Sequence, residues 1–235
     1  ITGTDGKTTT SSIIKQLLNP SFKTAYIGTI GLEVGNYFTS ISNTTPCVEE
    51  LYNIFSLIKK HRCKDIVMEV SSESLLHKRI DSIRYDIVGF TNITEDHLNV
   101  HKDIENYINC KKHLVDLLKF DGYLILNGDD INCKTIMYKN AYTYGFNSDN
   151  DYVICNVKEC KYSVSFDILF NGKIYSIVSP LSGKYNIYNI TLAFITGILR
   201  GVDVNLLINR IKSLSPIYGR REFLNFGQNY DIVLD

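Results

Sequence analysis

Apolar residues recur along this chain in two rhythms. From Val48 to Ile58 they fall at helical spacing, with Leu51, Ile54, Phe55 and Ile58 on one face. Residues 8–18 also read as a helix, as do Asp103 to Leu118, Asn186 to Leu199 and Val204 to Ile211. Asp103 suits the N-cap of its helix, because its carboxylate can accept an unpaired first-turn N–H. Between these segments stand short apolar runs of strand length: Thr24 to Ile30, Asp65 to Val70, Asp86 to Phe90 and Tyr123 to Leu126. Strands alternating with helices predict right-handed crossovers. The expected fold is therefore α/β, with a parallel sheet of P-loop type flanked by helices on both faces. Thr44-Thr45-Pro46 reads as a loop, with Pro46 placed to start the next helix.

The rhythm changes near Ala141. From Tyr142 to Val178 the alternation has period two, and Asn171-Gly172 separates Phe166–Leu169 from Lys173–Ile177, a hairpin signal. This predicts a small antiparallel β sub-sheet over about 142–180. Tyr230 to Leu234 reads as a last strand.

The chemistry begins at the first residues, Ile1-Thr-Gly-Thr-Asp-Gly-Lys-Thr-Thr9. Gly3 and Gly6 permit a sharp turn that brings backbone N–H groups against phosphate oxygens. Lys7 reaches the outer phosphates, Thr8 offers a hydroxyl to Mg²⁺, and the following helix adds its dipole. The glycine spacing is two residues shorter than in the usual phosphate loop. The alternative is a glycine-rich turn with a solvated lysine. A phosphate loop normally follows a buried strand, of which only Ile1 stands here, and there is no starting Met. The chain reads as a slice of a longer protein.

Composition narrows the class. The 235 residues carry 25 basic and 25 acidic side chains, so no charge footprint points to nucleic acid or an anionic membrane. No apolar run is long enough to span a bilayer. The six scattered cysteines lack zinc-site spacing and suit a reduced, cytoplasmic protein.

Three polar clusters follow predicted parallel strands, where ligands of such sheets bind. Glu69, in Met68-Glu-Val-Ser-Ser72, ends an apolar strand. It reads as a metal ligand facing the phosphates, or as a solvated strand end. His97, in Asn92-Ile-Thr-Glu-Asp-His97, can ligate a cation or contact phosphate, or is plain loop surface; His101 reads as more exposed. Lys111 and Lys112, taken alone, read as a surface pair on a helix.

Taken in order, these motifs resemble the Mur ligases, ATP-dependent amide ligases of peptidoglycan synthesis. The matching pieces are Gly3-Thr-Asp-Gly-Lys-Thr-Thr9, Asn43-Thr-Thr-Pro46, Met68-Glu-Val-Ser-Ser72 and Phe90-Thr-Asn-Ile-Thr94 with Asp96-His-Leu98. They continue with Tyr107 and Lys111, Asn127-Gly-Asp-Asp130, Gly183-Lys-Tyr-Asn-Ile-Tyr-Asn189 and Gly219-Arg220 with Glu222. The likeness is greatest to members that add the third amino acid to a UDP-N-acetylmuramoyl dipeptide. It implies that 1–235 is a central ATP-binding domain, with an N-terminal UDP-binding domain and a C-terminal domain lying outside this chain.

The resemblance also implies roles. Gly3, Thr4, Asp5, Gly6, Lys7, Thr8 and Thr9 cradle the ATP phosphates. Thr8 and Glu69 hold a first Mg²⁺. Glu69, His97 and a carbamylated lysine serve a second; the family's spacing from His97 and Tyr107 selects Lys111. Asn189 contacts adenine, Arg220 the γ-phosphate, and Asp235 lies near the ribose. Thr44, Thr45, Ser71 and Arg79 contact the UDP-N-acetylmuramoyl dipeptide, and a free amino acid is the second substrate. Nucleic acid and membrane are not expected partners, and a monomer is expected. Asp5, Glu73, His77 and Tyr218 depart from the family's usual residues. A folylpolyglutamate synthetase-like ligase, or a nucleotide-binding module without turnover, is the alternative.

Overall fold

The computed structural model describes residues 1–18, 23–96, 101–224 and 226–235. One half-sheet has the order β3-β2-β1-β4, from Thr24–Gly28 (β1), Gly31–Val34 (β2), Tyr37–Thr39 (β3) and Asp65–Met68 (β4). A second has the order β10-β9-β8-β7-β6-β5. Its strands are Tyr85–Phe90 (β5), Leu118–Asn127 (β6), Ala141–Gly145 (β7), Tyr152–Cys160 (β8), Ser163–Phe170 (β9) and Lys173–Ser179 (β10). Residues 1 and 2 stitch the halves together. The Ile1 nitrogen donates to the Met68 carbonyl at 2.8 Å, and Val70 N–H donates to the Ile1 carbonyl at 2.8 Å. On the other side Thr2 N–H reaches Gly89 at 2.9 Å, and Thr91 N–H returns to Thr2 at 3.0 Å. Thr2 pairs in parallel with Phe90.

The helices are Lys7–Leu18 (α1), Val48–Lys60 (α2), Ser72–Leu76 (α3), Ile104–Asp116 (α4), Lys184–Leu199 (α5) and Val204–Lys212 (α6). They cover both faces. Alternation along β4, β5 and β6 sorts their side chains between two cores. On β6, Leu124 and Leu126 join Leu51 and Ile54 of α2 and Leu114 of α4, while Ile125 joins Ile13 and Leu17 of α1 and Phe194 of α5. Met68 and Val67 of β4 divide in the same way. α5 is apolar all round because it lies between α1, α6 and the sheet. Asp103 caps α4 by accepting Asn106 N–H at 2.8 Å, and Asp203 caps α6 by accepting Leu206 N–H at 3.0 Å. No described helix is long and apolar enough to cross a membrane.

Two expectations need refinement. Within the second half-sheet the antiparallel part starts at β8, not at residue 142: β7 runs parallel to both β6 and β8, and β8-β9-β10 pair antiparallel. In the first half-sheet β1 is parallel to β4, but β1-β2-β3 pair antiparallel as well. Period-two alternation reports which face is buried; it does not carry strand direction. The last strand is Ile232–Leu234 (β12), paired with Glu222–Leu224 (β11) in a separate two-stranded ribbon. The Asn171-Gly172 turn is as expected, with φ of 48° and 73°.

Phe194 is fully buried beside Tyr175, with ring centroids 5.5 Å apart. Phe194→Ala is expected to lower unfolding free energy in urea by about 3–5 kcal/mol through lost contacts and a residual cavity. A loss below about 1 kcal/mol would contradict this account of the α1–α5 core.

Candidate functional site

The 3–6 loop connects the stitching residues to α1, and its shape needs its glycines. Gly3 and Gly6 have φ of 151° and 80°. A Cβ at Gly6 would lie 2.6 Å from Asn189 Oδ1, and one at Gly3 would lie 1.9 Å from Thr91 Oγ1. The segment after β5 latches the loop. Asn92 Oδ1 accepts Asp5 N–H at 2.9 Å, Thr4 N–H donates to the Asn92 carbonyl at 2.9 Å, and Thr91 Oγ1 donates to the Asp5 carbonyl. Thr4 Oγ1 donates to the Thr94 carbonyl at 3.1 Å and accepts Thr94 N–H at 3.0 Å. The Asp5 side chain is exposed.

At the base of the loop sits Glu69, which is 0% exposed. A buried carboxylate needs donors. Thr8 Oγ1 donates to Oε2 at 2.8 Å, Thr29 Oγ1 to Oε2 at 3.1 Å and Thr29 N–H to Oε1 at 2.9 Å, while the Tyr26 hydroxyl makes a short bond to Oε1. Burial, then the Glu69 charge, push the Tyr26 hydroxyl far above its ordinary pKa, so it remains a donor. Gly28 makes room, since a Cβ there would lie 2.1 Å from Oε1.

Two lysines turn toward the loop. Lys7 Nζ donates to the carbonyls of Gly3 and Thr4 at 2.9 and 2.7 Å. Burial draws its pKa below the usual range, against the pull of Glu69 and Asp5. Lys111 is buried, contrary to the surface-pair reading of the sequence alone, while Lys112 is only half-buried. Lys111 Nζ donates to the Gly3 carbonyl at 3.0 Å and lies 4.6 Å from the Tyr107 ring centroid. Burial, followed by repulsion from Lys7, lowers its pKa to about 7. His101 is also buried, packed edge-on to Tyr107 at 5.1 Å, which corrects its reading as exposed. His97 lies outside the described residues.

Clefts open on both sides of the loop. A cavity of about 310 Å³ is bordered by Lys7, Thr8, Thr44, Ser71, Arg79 and Arg220. Another, of about 750 Å³, is bordered by Gly6, Thr9, Asn127, Asn189, Arg220 and Asp235. Arg220 lines both. Thr45 stands apart from the other residues matched to the dipeptide: it is fully buried, and its hydroxyl donates to the Glu69 carbonyl and accepts Ser71 N–H, both at 2.9 Å. Arg79 NH1 donates to the Thr45 carbonyl at 3.3 Å. Asn189 Oδ1 accepts the Thr10 hydroxyl at 3.0 Å. Glu73 and His77 are exposed at the ends of α3, and Tyr218 is exposed beside Gly219.

Oxygen donors such as Thr8 and Glu69 suit a hard divalent cation. The four donors on Glu69 occupy its acceptor sites, so holding a cation there would require the Thr8 hydroxyl to give up its hydrogen bond to Glu69 and offer a lone pair instead. Among the described residues no group of three or more His, Cys, Asp or Glu is gathered. Sequence reasoning missed Tyr26 and Thr29. The available signal was Tyr26 in the middle of the short β1 and Thr29 directly after its end.

The family description "Mur ligase middle domain" matches residues 1–197. The chain is 34% identical over 245 residues to the UDP-N-acetylmuramoyl-L-alanyl-D-glutamate–2,6-diaminopimelate ligase of Bacillus cereus, covering 100% of this chain and 50% of that protein. It is 31% identical over 243 residues to the corresponding L-lysine ligase of Staphylococcus aureus strain MW2, covering 100% and 49%. The chain thus spans about half the length of the curated relatives it matches. A solved structure of a UDP-N-acetylmuramoyl-L-alanyl-D-glutamate–2,6-diaminopimelate ligase superposes with TM-score 0.83 at 24% identity, over 95% of this chain and 47% of that one. The MurF ligase of Thermotoga maritima in complex with ADP superposes with TM-score 0.74 at 17% identity, over 96% and 50%.

Gly6→Ala is expected to weaken ADP binding at least about tenfold, or ~1.4 kcal/mol, in calorimetric titration of the full-length protein. Gly201→Ala supplies the control: its φ is 75° but nothing lies within 4 Å of the added Cβ. Equal losses in both variants would assign the effect to backbone strain alone. Thr45→Val removes two buried hydrogen bonds and should cost about 1–3 kcal/mol of stability in urea unfolding. An unchanged midpoint would refute its role as an internal tie.

Proposed function

The chain belongs to the Mur ligase family as its middle domain, and from that premise we propose that it is the catalytic core of an ATP-dependent carbon–nitrogen ligase. The full protein adds the third amino acid to UDP-N-acetylmuramoyl-L-alanyl-D-glutamate in peptidoglycan precursor synthesis. The observation that carries this reading is the meeting of two clefts at one phosphate-type loop above a buried carboxylate, Glu69. The names of the relatives support the muramoyl dipeptide as substrate. They include a diaminopimelate adder and a lysine adder at 34% and 31% identity, so the amino acid itself is an outcome for assay. All six cysteines are free thiols, which supports action in a reducing cytoplasm. We take the protein to work as a monomer, without nucleic-acid or membrane partners.

The larger cleft takes the nucleoside of ATP, with Asn189 at the base and Asp235 near the ribose. Residues Gly3 to Thr9 take the phosphates. The smaller cleft takes the dipeptide end of the muramoyl substrate, oriented by Thr44, Ser71 and Arg79, with Thr45 fixing the strand end beneath. A carboxylate oxygen of the substrate attacks the γ-phosphorus, the bond to the β–γ bridging oxygen breaks, and ADP departs. The incoming amine then attacks the acyl carbon. The amide bond forms, phosphate leaves with its oxygen, and the amine gives up a proton. Lys7 and Arg220 offset charge on the transferred group, which is positioning and electrostatics rather than covalent catalysis by the protein. Thr8, Glu69, His97 and carbamylated Lys111 would hold two Mg²⁺ ions, which supply charge neutralisation and orientation of the phosphates. Burial favours the neutral Lys111 amine, the form that adds to CO₂.

In the full-length protein, ADP release is expected to require Mg-ATP, the muramoyl dipeptide and one amino acid from a panel containing lysine and diaminopimelate. Lys7→Ala should abolish it. Release with a folate substrate instead would move the protein to another amide ligase. ATP binding without release on any substrate would make it a nucleotide-binding module.

A further inference from the structure

We propose that Lys161 and Tyr162, at the turn between β8 and β9, are positioning residues that hold Arg220 and Asp235 at the nucleotide clefts. The inference rests on the ligase reading, because it assigns these two residues to the ATP side of the site. Arg220 and Asp235 flank the open end of the β11–β12 ribbon, whose first pair is Glu222 with Leu234. Asp235 Oδ1 accepts Arg221 N–H at 3.1 Å, which ties the two ends together beside the larger cleft.

A two-stranded ribbon is marginal in water by itself, and this one has little core of its own: β11 is half-buried and Val233 is exposed. Its placement therefore depends on ties to the body. Among the described residues two such ties lie near the clefts. Ile217 is buried in the α1–α5–α6 core and accepts Arg220 N–H at 3.0 Å across a turn containing Gly219, with φ of 63°. Arg221 NH1 donates to the Tyr185 hydroxyl at 3.3 Å, at the start of α5. Both ties act at the same end, so alone they leave the ribbon able to pivot about the 217–220 turn.

The other end is gripped by the β8–β9 turn. Lys161 Nζ lies 2.5 Å from Asp231 Oδ2, and the Tyr162 hydroxyl donates to Asp231 Oδ1 at 3.0 Å. The Tyr162 ring meets Phe223 edge-on, with centroids 5.0 Å apart. Three contacts from two adjacent residues thus hold the ribbon through Asp231, directly before β12, and Phe223 of β11. These groups are exposed, and an exposed ion pair contributes little to global stability. A purely structural surface role would therefore leave nucleotide affinity untouched, whereas a positioning role would not.

The test uses the full-length protein and measures ATP affinity by direct titration, together with the melting temperature. Lys161→Ala, Tyr162→Ala and Asp231→Ala should each weaken ATP binding by about threefold to tenfold and leave the melting temperature and affinity for the muramoyl dipeptide unchanged. Lys161→Ala combined with Asp231→Ala should bind ATP no more weakly than Asp231→Ala alone, since Asp231→Ala already removes the Lys161 contact together with that of Tyr162. The exchange Lys161→Asp with Asp231→Lys should recover part of the loss. Arg220→Ala separates the two layers of the argument. If it weakens ATP binding while the clamp variants do not, the clamp is refuted and the ligase site stands. If Arg220→Ala also leaves ATP affinity unchanged, the clamp has nothing to position and the assignment of the site falls with it.

Discussion

Everything in this domain turns on one buried carboxylate. Glu69 sits without solvent contact just past the end of β4 and accepts hydrogen bonds from two separate elements. Thr8 brings the first turn of α1 to it, and Tyr26 and Thr29 bring the end of β1. The backbone of Glu69 is held in turn: its N–H donates to the Ile27 carbonyl at 2.9 Å, and its own carbonyl accepts the Thr45 hydroxyl. A charge in that position costs several kcal/mol unless paired, so the polar groups around it are constrained together. The Gly3–Gly6 loop, the strand end and the Thr44–Pro46 segment are consequently placed by the same few atoms.

The architecture was largely legible in the residues. Helical spacing in Val48–Ile58 and the cap at Asp103 located α2 and α4, because each depends on contacts within a few residues. β4 and β5 were legible as continuous apolar runs, the signature of strands covered on both faces. What escaped was directional or long-range. Tyr142–Val178 has one alternation throughout, yet it contains a parallel strand and three antiparallel ones. Strands β2 and β3 and the short α3 escaped as well; two of them have only three and five residues.

The site was legible in a different way. The Gly3–Thr9 loop announces itself through local chemistry, since glycine conformation and a lysine–threonine pair do their work within one turn. Burial of Lys111 is the opposite case. Its neighbours in sequence make it look like a surface residue, and only the approach of Thr2 and Gly3, more than a hundred positions away, encloses it. Thr45 was read as a ligand contact through resemblance, but its hydroxyl is occupied by the backbone on either side of Val70. Tyr26 and Thr29 escaped for the same reason: their partner is a carboxylate some forty residues downstream.

The stitch made by Ile1 and Thr2 has a mechanical consequence. Among the described residues, backbone pairing between the half-sheets runs through these two positions. Thr2 reinforces the seam with its side chain, donating to the Val70 carbonyl at 2.8 Å. The seam ends at Thr2, directly before Gly3, so the loop begins where the weld stops. Any shear of one half-sheet against the other is delivered to the spot where phosphates would rest, with no intervening chain to absorb it. The loop therefore works as a strain gauge mounted on the crack line of its own support, and its geometry records the alignment of the two halves.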